Sequence, residues 1–400
     1  MKRIAPDFDY FCPSIRRNLQ TAVALESAGL LRSAHVDFCL PPGQIARSVE
    51  RVAGPRAANR VVRDIPSTRI HRHPQLMIAS RVRQRLYLSG RDTTAVDRVL
   101  TRMYSAVARQ CESDAVVGTQ SSCLELFEGR SYRIMEQISP PVRYERAIAA
   151  EELARFPEWE EPDKAAVSSF WDHREELEWG MADLIWVPSP HLVNLSSDFG
   201  ADPRKFRVLP YAIVGPQSAE MSRGVKGRRA LRVVFVGTLM LRKGVQYIYE
   251  ALRMKPSLPI QMEFFGPPKL TSEGVRCLAE VGTVHGSVPR AQLFNELRRA
   301  DVLLFPSLAE GSSRATLEAA AAGLPVVATE EAGGPASAMV IPSRSPEAII
   351  DVIEMLADDP ARLAELSEAG LAEASTRNLA TYTESIIGML GSGSATVPSR

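Results

Sequence analysis

The chain has little lysine, few cysteines and no long apolar run. Seven lysines stand beside 41 arginines in 400 residues. The five cysteines (Cys12, Cys39, Cys111, Cys123 and Cys277) lie far apart, and none forms a Cys-x-x-Cys pair. That argues against a disulfide framework or a zinc site and for a reducing compartment, the cytoplasm. The longest apolar run, Ala319 to Ala328, has ten residues, whereas a membrane-spanning helix needs about 20. No apolar stretch follows Met1–Asp7, so no secretory leader is expected. Net charge is only +1, which excludes bulk polyanion binding as the dominant trait. With 45% apolar and 24% charged residues the composition is globular, and 400 residues suit two domains of about 150–200 residues each.

Charge is uneven along the chain. Between residues 47 and 109, fourteen arginines accompany only Glu50, Asp64, Asp92 and Asp97, an excess of +10. Such an excess can hold a protein on an anionic membrane surface or steer an anionic substrate. It can also be a set of solvated helix faces carrying Arg98, Arg102 and Arg109. Nucleic acid is not expected, because neither interleaved aromatics for stacking nor a helix-turn-helix or finger spacing is present. His71-Arg72-His73 lacks a third ligand, so no metal is expected.

The second half alternates strand and helix. Leu231–Gly237, Ile260–Phe265, Thr283–His285, Val302–Phe305 and Pro325–Ala328 read as buried strands. Val245–Leu252, Arg290–Arg299, Ala315–Ala322, Pro346–Ala357 and Pro360–Ala374 read as helices. This implies a parallel, doubly wound sheet. The first half is less regular, with strands expected at Ala34–Leu40, Ala115–Gly118, Tyr132–Gln137, Leu184–Val187 and Phe206–Pro210. Helices are expected there at Ile15–Ala28, Val96–Cys111 and His173–Met181. Gly215–Arg229 is polar and almost without apolar side chains. It divides the chain into 1–214, a linker at 215–230, a second domain at 231–375, and a C-terminal helix and tail at 376–400 expected to return to the first domain.

Two loops carry chemistry. Pro306-Ser307-Leu308-Ala309-Glu310-Gly311-Ser312-Ser313-Arg314 links a buried strand to a helix. Gly311, Ser312 and Ser313 put small residues and backbone N–H groups at that helix start, a position suited to anions. Glu318 sits in an otherwise alanine-rich helix and needs a polar partner. Gly237-Thr238-Leu239-Met240-Leu241-Arg242-Lys243-Gly244 likewise joins a strand to a helix and supplies two cations at the strand's carboxyl end. It is neither a Walker loop nor a dinucleotide fingerprint. Together, the cations suit a diphosphate and the carboxylates suit the hydroxyls of a sugar and a ribose.

The segment EGSSRATLEAAAAGLPVVAT, with Glu310 and Glu318 eight residues apart, resembles the Glu-x7-Glu motif of retaining GT-B glycosyltransferases, glycosyltransferase family 4. The segments VVFVGTLMLRKGVQYIYEAL, FFGPP, VHGSVPRAQLFNELRRADVLLFPSLAEG and ATEEAGG follow that family's order, and ADLIWVPSPHLVNLSSDFGADPRKFRVLPYAI is similar to the end of its first domain. The resemblance implies an α/β GT-B fold: two Rossmann-like, doubly wound domains facing a cleft. It implies a cytoplasmic enzyme, peripheral on the membrane if the arginine-rich stretch docks there, that moves a sugar from a UDP- or GDP-linked donor to a hydroxyl of a polysaccharide, glycolipid or cell-envelope glycan. No cofactor and no metal are implied, and the oligomeric state is left open. On this reading Lys243 and Arg242 bind the diphosphate, Glu318 the ribose and Glu310 the transferred sugar; Lys243, Arg242 and Glu310 are the catalytic candidates. Gly237, Thr238, Gly266, Val288, Gly311, Ser312 and Ser313 complete the donor site, Val288 near the base. Thr238 stands where the family often has Arg, with Arg242 as the substitute, and Ser312-Ser313 replaces its usual Phe-Gly. Ser14, Arg16 and Ser139 are candidate acceptor contacts. The alternatives are another GT-B enzyme, a phosphorylase or an epimerase, and a non-catalytic nucleotide-sugar-binding protein.

Overall fold

The computed structural model describes residues 7–14, 19–40, 60–89, 91–162, 170–213 and 230–392. Arg16 and nearly all of the expected linker lie outside them. The first half runs β1 (Phe8–Cys12), α1 (Gln20–Ser27), β2 (Leu31–Val36), β3 (Ile70–Arg72), α2 (Pro74–Leu88), α3 (Thr94–Ala108), β4 (Ala115–Thr119) and α4 (Leu124–Phe127). It continues with β5 (Tyr132–Glu136), α5 (Val142–Arg155), α6 (Phe170–Met181), β6 (Leu184–Val187), α7 (His191–Asp198) and β7 (Phe206–Val208). The second half runs β8 (Leu231–Val236), α8 (Val245–Met254), β9 (Ile260–Phe265), α9 (Ser272–Val281), β10 (Thr283–Gly286), α10 (Arg290–Arg299) and β11 (Val302–Phe305). It ends with α11 (Arg314–Ala321), β12 (Val326–Thr329), β13 (Met339–Ile341), α12 (Pro346–Asp358), α13 (Pro360–Thr376) and α14 (Leu379–Ser392).

Two all-parallel sheets result, in the orders β3-β2-β1-β4-β5-β6-β7 and β10-β9-β8-β11-β12-β13. Each strand order reverses beside its first strand, as in doubly wound α/β folds. Central strands are buried on both faces and read as mostly apolar runs, VLLF in β11 and VVAT in β12. Helix starts are capped by side chains: Ser313 for α11, Ser345 before Pro346 and Asp359 before Pro360.

The strand expected at Ala34–Leu40 is instead Leu31–Val36. Its polar residues hid it, because they are paired: Ser33 donates to Asp9 at 2.6 Å and His35 lies 3.1 Å from His73. The strand stops before Asp37, which takes an ion pair from Arg60 at 3.0 Å. The cores of the two halves share elements: Leu317 and Ala321 of α11 and Ala374 of α13 reach the core of the first sheet. Tyr382 and Ile386 of α14 join the core of the first sheet, next to α1. In return, Ile148 of α5 and Trp159 join the core of the second. Trp159 is therefore a core residue, edge-on to Phe156 and Tyr249, and not a sugar platform. Trp171 lies under Arg83, whose guanidinium is 4.9 Å from its ring.

Candidate functional site

The order of the second sheet reverses between β8 and β11, and ligands of open α/β sheets sit outside the carboxyl ends of strands at such a point. The two loops singled out above leave those two strands. After β8 the chain passes Gly237 and forms a single 3-10 turn, Leu241–Lys243. Gly244 closes it at φ 75°, and a Cβ there would stand 1.9 Å from the Pro306 carbonyl oxygen. Only glycine fits, because the turn must lie flat on the next loop. Gly266 is equally constrained: its Cβ would meet the Gly237 carbonyl oxygen at 1.8 Å.

The loops are stitched together. Leu308 N–H donates to the Arg242 carbonyl at 2.9 Å. Lys243 Nζ contacts Glu310 Oε1 closely, and Arg242 reaches the same oxygen at 3.2 Å. Arg242 also donates to the Ala309 carbonyl and, across the cleft, lies 3.5 Å from Glu145 Oε1. Lys243 sits 5.2 Å above the Phe305 ring. Burial pushes the Lys243 ammonium below its usual pKa, and Glu310 opposes that shift. A buried cation so placed needs an anion, and Glu310 supplies it.

Glu318 lies one turn into α11 in a second ionic group, 2.6 Å from Arg290 and 4.0 Å from Arg314. The structure thus brings Arg242, Lys243 and Glu310 together and holds Glu318 on the helix that follows. Thr238 is half-buried beyond Gly237, and Val288 leans on the second core. Ser312 and Ser313 are buried. The Ser313 amide, expected to face the donor, instead donates to the Ala332 carbonyl at 2.9 Å, while its hydroxyl caps α11.

The first domain grips the same loop. A Cβ on Gly311 would stand 1.9 Å from the Ile138 carbonyl oxygen, so this backbone lies directly on the chain leading to Ser139. Ser139 N–H is itself held by Gln120 at 3.0 Å. Ser189 donates to the Gly311 carbonyl at 2.5 Å, Tyr144 to that of Leu308 at 3.3 Å, and His191 Nε2 to that of Glu310 at 2.8 Å. Burial lowers the His191 pKa, which keeps the ring neutral with one N–H to give. The sequence gives no sign of Tyr144 or Glu145; for His191, after Pro190, it leaves open a helix start near the cleft or a solvated ring, and the structure shows the helix start. Ser14 follows β1, and the first sheet's order reverses beside that strand.

Fold and site together define a two-sheet GT-B protein with two cations and a carboxylate clustered at the second sheet's reversal. Residues 230–359, most of the second domain, match the family model "Glycosyl transferases group 1". The D-inositol 3-phosphate glycosyltransferase of Segniliparus rotundus is 30% identical over 205 residues, 45% of each chain. The MMP alpha-(1->4)-mannosyltransferase of Mycolicibacterium hassiacum is 23% identical over 254 residues, 60% of each. The chain spans about half the length of the curated relatives it matches. Among solved structures, Anabaena Alr3699/HepE in complex with UDP and glucose shares the fold, with TM-score 0.57 and 15% identity over 97% of this chain and 100% of that one.

Proposed function

We propose that the protein transfers a sugar from a nucleoside-diphosphate sugar to an acceptor hydroxyl with retention of configuration. The observation that carries this reading is the Arg242–Lys243–Glu310 cluster at the second sheet's reversal point, facing the first domain. Glu310 neutralises both cations. An arriving diphosphate takes over that role, and Glu310 is released to accept hydrogen bonds from the donor sugar. Bond breaking places negative charge on the leaving diphosphate, where two fixed cations in a half-buried site stabilise it without reorganisation. Arg242, not position 238, is assigned the second cation, and Glu318 the ribose hydroxyls. Arg242 and Lys243 take the charge-neutralising work, so the proposal requires neither metal nor cofactor.

The HepE complex contains UDP and glucose, which favours trying UDP-linked donors first, with GDP-linked donors beside them. The acceptor is assigned to the crevice of the first domain, near Ser14 and Ser139, and to the class of envelope glycans or glycolipids, reached from the cytoplasmic side.

A thermal-shift panel of nucleotide sugars identifies the donor, because a ligand that binds only the folded state raises its melting temperature. Nucleoside diphosphate released with a trial acceptor then measures transfer. Lys243→Ala and Glu310→Ala are each expected to lower it at least about 100-fold in chains that still fold, Glu310→Ala with a lower melting temperature because Lys243 loses its carboxylate. Native turnover in both variants removes the site assignment, and turnover that requires free phosphate favours a phosphorylase.

A further inference from the structure

We propose that the outward faces of α2 and α3 form one docking surface for an anionic lipid membrane. This does not rest on the sugar-transfer reading. Leu76 and Ala79 of α2 and Leu100, Tyr104 and Val107 of α3 belong to a single core cluster. Both helices therefore cover the same side of the first sheet, and their opposite faces look outward. On α2 that face carries Ile78, Arg81, Val82 and Arg85, at i, i+3, i+4 and i+7; on α3 it carries Ala95, Arg98, Val99 and Arg102, at the same spacing.

The charge is of one sign. α2 contains no acidic residue. The only acid of α3, Asp97, is turned inward and held by Arg83 at 2.5 Å and Thr93 at 2.9 Å. Asp92, in the connecting turn, accepts from Thr94. Other arginines of the basic stretch are engaged: Arg60 with Asp37, Arg69 with Glu26, and Arg72 with the Cys39 carbonyl. Arg81, Arg85, Arg98 and Arg102 form no ion pair among the described residues.

Aliphatic side chains decide the partner. Ile78 is 60% exposed, Val82 45% and Val99 41%. They sit between the arginines. A nucleic-acid backbone offers such groups nothing apolar to enter, whereas the headgroup–acyl boundary of a bilayer does, and guanidinium groups bind lipid phosphates bidentately. The surface also lies where a lipid-held substrate is useful. α2 begins just after His73, whose N–H binds the Val36 carbonyl at 2.8 Å, at the carboxyl end of β2 and thus on the cleft rim.

The test is flotation of the full chain with phosphatidylglycerol-containing vesicles and with pure phosphatidylcholine vesicles, at low and high salt. Binding is expected only to the anionic vesicles, weakened by salt. Replacing Arg81, Arg85, Arg98 and Arg102 together by Glu is expected to weaken it at least about tenfold. Ile78→Ser with Val82→Ser and Val99→Ser is expected to remove the fraction that resists salt. If the Glu variant does not fold, the four Arg→Gln changes replace it. The proposal is overturned if the native chain ignores anionic vesicles, if the arginine variant binds like the native chain, or if the serine variant does so. Arginine-dependent capture of an oligonucleotide with no vesicle binding reassigns the face to nucleic acid.

Discussion

Gly311 is the residue on which the two halves bear most closely. An alanine there would put its methyl 1.9 Å from the Ile138 carbonyl oxygen, closer than any real contact. The Glu310 loop would have to withdraw from β5 or the domains would have to part. Gly311→Ala is expected to destabilise the protein by about 1–3 kcal/mol, the usual cost of overpacking, and to weaken nucleotide binding. Gly180→Ala is the control, since its added methyl meets nothing within 4 Å. Equal melting curves and equal nucleotide affinity for the two variants would show that the close approach is absent in solution. The glycine itself is legible in the sequence, as are Arg242, Lys243 and Glu310, because each belongs to a local strand–loop–helix motif. Their partners are not. His191 meets Glu310 across 119 positions and Tyr144 meets Leu308 across 164, and no spacing rule links residues that far apart.

Helix α5 shows the same limit at the scale of an element. It follows β5 of the first sheet, yet its charged sequence hides what it packs on. Glu152 is fully buried at the contact with the second domain. One carboxylate oxygen accepts from Gln246 at 2.8 Å and Tyr247 at 2.7 Å, the other from Arg344 at 2.7 Å. Farther along, Glu160 accepts the Leu241 N–H at the start of the 3-10 turn. The helix therefore couples the first domain to the loop that carries Arg242 and Lys243. Alternation of strand and helix was readable in most of the second half because strands such as β11 and β12 are short apolar runs, though α9 and β13 went unread. It failed for β2 and α2, where paired or outward polar side chains break the pattern. Glu152→Ala strips two buried donors, Gln246 and Tyr247, of their acceptor, while the partly exposed Arg344 keeps its ion pair with Glu151 at 2.6 Å. The expected loss is about 2–4 kcal/mol, read from urea unfolding, with Glu152→Gln milder because one oxygen survives. A loss below about 1 kcal/mol in the alanine variant would mean that α5 is not anchored this way.

For the whole molecule, the dependence of stability on pH is a sum over groups of opposite sign. Burial, aided by His71 and His73, holds His35 at about 4 instead of the usual 6.5. The stability this depressed group contributes is complete above pH 6.5 and is lost as pH falls toward 4, because the unfolded chain takes up a proton that the folded one refuses. Burial has the reverse effect on two carboxyls of α6, raising Glu175 to about 8 and Glu178 to about 7. Their contribution is complete below about pH 4.5 and is lost as pH rises through those values. The two trends partly cancel between pH 4.5 and 6.5, so the curve of the native chain alone cannot isolate either one. A variant can. His35→Gln removes one acid-side contribution and leaves the carboxyls of α6 in place. Between pH 7 and pH 5 the native chain is expected to lose about 2 kcal/mol more than this variant. The measurement is the difference between their urea midpoints, each multiplied by its slope, at the two pH values. Parallel losses would mean that His35 titrates normally, and so that the buried row of imidazoles beside the first sheet's outer strands is open to water.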